Sequence, residues 1–167
     1  MGYFYERFSK DILNKAYELL GDVTPLSYDC GLLCSRVCCK GGDGDGMLLF
    51  PGEREFFDSK EGYKVMTDAE YGYDYVVCTA ACERTERPLS CRIFPYFFYV
   101  RSDGALTVSP DIRAAEKCPL TGNGIDVSKS FLRRLRMCAK LLETDGETVD
   151  FLRRMTEIMT DFGGLEN

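Results

Sequence analysis

At 167 residues, 45% of them hydrophobic, the chain has the size of one compact domain with a sizeable core, spanning residues 1–167. A net charge of −6 without any basic block excludes nucleic acid as the expected partner. No apolar run approaches the roughly 20 residues that cross a bilayer, and the absence of histidine excludes every scheme that needs an imidazole base or ligand.

The start of the chain, Met1 to Arg7, has neither the basic opening nor the apolar core of a signal peptide. Glu6 stands where a myristoylation signal has Ser or Thr. The expected compartment is a reducing cytoplasm, and no membrane partner is expected.

Residues 3–20 read as an amphipathic helix: Tyr5, Phe8, Ile12, Ala16 and Leu19 recur at helical spacing, and Gly21 is the stop. Thr24-Pro25-Leu26 then leads into the first cysteine cluster, Cys30, Cys34, Cys38 and Cys39. The Gly/Asp run over 41–46 is a poor helix and a poor calcium loop, because position twelve from Asp43 is Arg54 where Glu is required. Met47 to Phe50 is a short strand candidate. Pro51 suits a helix start, with Glu53 and Glu55 in its first turn and Phe56-Phe57 inward.

Residues 63–67 and 74–78 read as strands around a Gly/Tyr turn. Cys78 ends the second strand and opens the second cluster, Cys78, Cys82 and Cys91, with Cys118 trailing. Residues 96–100 and 105–109 form a hairpin around Ser102-Asp103-Gly104. A helix begins near Ser128, with Phe131, Leu135, Cys138 and Leu142 as its buried stripe; Cys138 is therefore a core thiol, outside the site. Gly146 separates it from a second helix, 147–162, striped by Phe151, Met155, Ile158 and Phe162. Arg133, Arg134, Arg136, Arg153 and Arg154 are expected to face solvent. The expected fold is α+β: a small antiparallel sheet with a metal-bound cysteine cluster, flanked by an N-terminal helix and a C-terminal helical hairpin over 126–162. The motif core runs from 30 to 118.

In a reducing compartment, nine cysteines with one adjacent pair point to thiolate–metal chemistry rather than to a disulfide framework. The expected ligands are Cys30, Cys34, Cys38, Cys39, Cys78, Cys82, Cys91 and Cys118. On a straight helix Cys30 and Cys38 lie roughly 12 Å apart along the axis, whereas two sulfurs on one zinc lie within about 5 Å. Either the backbone wraps around one centre or the cysteines are shared between two. The pairing of Cys38 with Cys39, which point apart in any regular structure, favours sharing.

The run Cys30-x3-Cys34-x3-Cys38-Cys39, the Met47 to Glu55 segment, and Cys78…Cys82…Arg87-Pro88-x2-Cys91-Arg92-x-Phe94-Pro95 together resemble the YkgJ-like cysteine-cluster family, described as zinc- or iron-chelating domains. The resemblance covers about residues 30–95, with Cys118 trailing. It implies metal chelation by cysteine. A similar domain in flagellin lysine methylases implies, as the alternative, an iron–sulfur or redox enzyme modifying a partner protein.

Eight thiolates around two divalent ions leave a charge of about −4, eight negative against four positive. Arg36, Lys40, Arg84, Arg87 and Arg92 lie beside the cysteines, and Arg87 and Arg92 are expected to donate to sulfur or to backbone carbonyls around the ligands. Zinc in closed all-cysteine sites is structural, which gives the leading expectation of a non-enzymatic zinc protein with an interaction surface for an unknown protein partner. Iron or an iron–sulfur cluster is the alternative cofactor.

Overall fold

The computed structural model describes residues 2–39, 46–78, 82–122 and 124–163, and side chains from Lys10 to Asp161 within that span. Lys40, most of the Gly/Asp run, and the side chains of Tyr5, Phe8 and Phe162 lie outside the described residues. Helix α1 covers Gly2–Leu20 and buries Ile12, Leu13, Ala16 and Leu20. It stops where expected: Gly21 takes φ +48°, a conformation that costs glycine little, and its N–H reaches the Tyr17 carbonyl at 2.8 Å.

The strands form two small antiparallel sheets. In the first, β1 (Met47–Leu48), β2 (Tyr63–Thr67) and β3 (Asp74–Cys78) are ordered β1-β3-β2, and Tyr63 pairs directly with Cys78. The second is the hairpin β4 (Tyr96–Val100) with β5 (Leu106–Pro110). Phe97 and Phe98, adjacent in β4, are both fully buried. That is the signature of a strand covered on both faces. Helix α5 (Lys129–Leu142) packs against α1 and β5, and α6 (Gly146–Gly163) packs against β4. Ser128 caps α5 by accepting the Phe131 N–H. The stripe Phe131, Leu135, Cys138 and Leu142 meets α1 in the main core.

Three local expectations are corrected. The strand at 47–50 is only two residues long, although Leu49 and Phe50 are buried beyond it. Short helix α3 (Arg54–Phe57) buries Phe57 but leaves Phe56 40% exposed, and the acid before it, Glu53, is fully buried. Nor is Arg134 a free surface charge: it donates to the Leu19 carbonyl at 2.6 Å and closes the end of α1.

Candidate metal centre

The first cysteine cluster is not one helix. Helix α2 spans only Gly31–Cys34; Ser35 and Arg36 then both take positive φ, +53° and +57°, and a 3-10 turn carries Val37–Cys39. Two consecutive non-glycine residues in the left-handed region reverse the chain and cost backbone energy that the surroundings must offset. Asp29 supplies part of that support, accepting the Gly31 N–H at 3.0 Å and pairing with Arg36 at 3.2 Å. The backbone therefore wraps, and the roughly 12 Å separation of a straight helix disappears.

The wrap brings Cys30, Cys34 and Cys38 to the border of one cavity of about 20 Å³, where they meet Cys118 from the loop after β5. Val37, Phe94, Pro95, Pro119 and Leu120 complete its wall. The volume is about that of one water-sized sphere, and the wall is apolar apart from sulfur. Burial pushes the Cys30 and Cys118 thiols up, and the Arg84 guanidinium opposes this at Cys30.

Cys39 does not line this cavity. Its Sγ lies 3.9 Å from Cys38 Sγ, and the hydrogen bond from Cys38, with Arg87 and Arg36 nearby, lowers its proton affinity while that of Cys38 is raised. Burial pushes the Cys91 thiol up, and the nearby Cys82 and Cys39 add to this. Cys82 lies within hydrogen-bonding reach of the Tyr63 hydroxyl and the Arg87 side chain. Tyr63 faces Cys78 across the sheet. The structure thus places Cys30, Cys34, Cys38 and Cys118 around one cavity, sets Cys39, Cys82 and Cys91 in electrostatic reach of one another, and connects Cys78 to them through Tyr63. No cysteine is joined in a disulfide among the described residues.

No protein-family model, curated protein or solved structure matches this chain. The cysteine signature stands on its own residues and their geometry.

Among the described residues, no three cysteine or acidic side chains stand as a ready coordination sphere. The thiols border a shared space without closing on it.

Arg84, Arg87 and Arg92 donate to backbone carbonyls near these thiols. Arg92 donates through Nε to the Arg87 carbonyl at 2.9 Å and through Nη2 to the Thr85 carbonyl, and its guanidinium lies 4.3 Å from the Tyr17 ring centre. Arg87 Nη2 donates to the Cys82 carbonyl at 3.4 Å. Neither Arg87 nor Arg92 forms an ion pair with Glu83 or Glu86; Lys60 is the residue beside Glu86. Arg84 Nη2 donates to the Val23 and Arg92 carbonyls. The Nε atoms of Arg84 and Arg87 are both buried with no hydrogen-bond partner among the described residues. A buried guanidinium donor without an acceptor is costly, and each of these lies beside a different cysteine group.

Tyr63 and Glu53 were missed from sequence. The signal for Tyr63 was present, since pairing 63–67 against 74–78 end to end sets it opposite Cys78. A cleft of about 560 Å³ between α6 and the 49–54 and 71–74 turns carries no cysteine in its lining.

Cys138 is fully buried in the core, and burial pushes its thiol up to about 12. In reduced, metal-free protein at pH 8, iodoacetamide is expected to label exposed Cys39, whose proton affinity is lowered, and to leave Cys138 unmodified until denaturant is added. Peptide mass spectrometry reads this directly; early labelling of Cys138 would contradict its placement.

Proposed function

We propose that this chain is a metal-binding protein that holds zinc through clustered cysteine thiolates in a reducing compartment. The observation that carries the reading is the cavity shared by Cys30, Cys34, Cys38 and Cys118, four thiols drawn from segments some eighty residues apart in the chain. The donor set fits: four sulfurs suit a soft, tetrahedral cation, and the neighbouring Arg84 donor supplies charge compensation. The apolar wall favours a closed, structural ion. The motif's resemblance to the YkgJ-like family points the same way.

The role is structural: metal ties the 30–39 segment to the loop at 118. On this reading, protein purified without oxygen carries zinc and shows no visible absorbance. A strong chelator strips the metal and exposes residues 26–39 to limited proteolysis. Iron with inorganic sulfide would replace zinc by the iron–sulfur alternative. Protein that retains no metal under reducing conditions, with an unchanged proteolysis pattern, would remove the metal reading altogether.

A further inference from the structure

We propose that the vicinal cysteines serve two different ions, Cys38 completing a centre with Cys30, Cys34 and Cys118, and Cys39 completing a second centre with Cys78, Cys82 and Cys91. The inference rests on the cysteine–metal reading and adds a second site, its ligands and its stoichiometry.

Distance alone does not divide the pair. A separation of 3.9 Å between Cys38 Sγ and Cys39 Sγ also suits two ligands of one ion. What lies beyond each sulfur divides them. Cys38 faces the cavity with Cys30, Cys34 and Cys118, enclosed by Phe94 and Leu120. Cys39 does not line that cavity and interacts electrostatically with Arg87 and Cys91. A 3-10 turn has three residues per turn, so adjacent side chains leave it about 120° apart. One short turn thereby feeds two neighbouring spaces.

The second space has its own frame. Cys78 closes β3 opposite Tyr63, and Cys91 rides on helix α4 (Leu89–Ile93). Arg87 Nη2 donates to the Cys82 carbonyl at 3.4 Å, and the Cys82 thiol interacts electrostatically with both Tyr63 and Arg87. The orphan donors follow the same division: the Arg84 guanidinium acts on Cys30, and that of Arg87 interacts with Cys82, Cys39 and Cys91. A thiolate ligand is the natural acceptor for each. Two four-thiolate centres holding divalent ions carry about −4 in total, and Arg84, Arg87 and Arg92, with Arg36 already paired to Asp29, offset part of it. The ligand class is a soft divalent cation.

The test is a titration of reduced, metal-free full-length protein with Co²⁺, read by its thiolate charge-transfer band, then with Zn²⁺ in competition. Wild type should bind two equivalents. Cys38→Ser and Cys118→Ser should each keep one, Cys39→Ser and Cys91→Ser should each keep the other, and the double variant Cys118→Ser/Cys91→Ser should keep none. Cys138→Ser should keep both. Arg87→Gln, which removes no ligand, should weaken one of the two affinities about 10- to 100-fold and leave the other unchanged, which keeps the proposal testable if a serine variant does not fold. One equivalent in wild type, lost alike in Cys38→Ser and Cys39→Ser, would overturn the second centre while leaving the metal reading intact. No Co²⁺ bound at all would overturn both.

Discussion

Replacing Glu53 by alanine is expected to cost about 3–5 kcal/mol, a large part of the 5–15 kcal/mol that holds a domain of this size together. The carboxylate is fully buried and gathers donors from three separate parts of the chain. Phe50 N–H donates to it at 2.6 Å, Leu89 N–H at 2.7 Å, and the Tyr17 hydroxyl completes the set. Alanine leaves all three donors buried without an acceptor, at about 1–3 kcal/mol each, partly offset because a buried charge is also removed. Glu53→Gln keeps the shape but turns one acceptor into a donor, so an intermediate loss is expected. Tyr17→Phe removes a single donor and should cost least. Urea midpoints for the three variants supply the check, and an alanine variant as stable as wild type would sink the account.

The same carboxyl sets a pH dependence. Burial pushes it up to about 7 from an ordinary 4.5, against the pull of the hydrogen bonds from Tyr17, Leu89 and Phe50 and of Arg92. A folded-state value above the unfolded one means that the folded protein retains a proton the unfolded chain has released. Stability from this group is therefore fully present below about 4.5, falls as pH rises towards about 7, and is flat beyond. The full span is on the order of 3 kcal/mol. Glu53→Gln should abolish that slope. An unchanged slope in the glutamine variant would assign the titration to another group.

Where local pattern decides structure, the sequence was a sufficient guide. The strands Tyr63–Thr67 and Asp74–Cys78 and the helix from Lys129 behind its Ser128 cap fall where alternation, periodicity and capping chemistry put them. Glu53 shows where that guide ends. Beside Pro51 it reads as a first-turn helix acid, but it is buried and bonded to donors 36 residues away in both directions. Phe56 fails for the related reason that a single-turn helix gives the core only one inward position, and Phe57 takes it. In the cysteine motif the four-residue spacing suggested one helical face. The break depends on Ser35 and Arg36 entering the left-handed region, and neither residue type announces that. Once the chain has turned there, the cavity that Cys30, Cys34 and Cys38 border is completed by Phe94 and Cys118 from distant segments, and spacing carries no record of it.

Arg92→Leu is expected to cost about 2–4 kcal/mol and to weaken metal binding at the Cys39, Cys78, Cys82 and Cys91 group, because Arg92 is where fold and site are joined. Its guanidinium lies over Tyr17, whose hydroxyl is engaged by Glu53. Its N–H groups hold the Thr85 and Arg87 carbonyls, which lie in the segment between Cys82 and Cys91. Each charged hydrogen bond contributes roughly 1.5–3 kcal/mol and the ring contact about 0.5–2 kcal/mol, offset in part by relief of a half-buried charge. Lysine should not rescue the variant, since one ammonium cannot span two carbonyls and lie flat on a ring together. The discriminating readout is Co²⁺ affinity measured on folded protein. A merely stabilising arginine would lower the urea midpoint and leave both affinities alone. An arginine that sets the Cys82–Cys91 segment should weaken one ion about 10- to 100-fold in both Arg92→Leu and Arg92→Lys, with the ion at Cys30, Cys34, Cys38 and Cys118 unchanged. A lysine variant indistinguishable from wild type would show that charge near Cys91, rather than the planar fork, is what this position supplies.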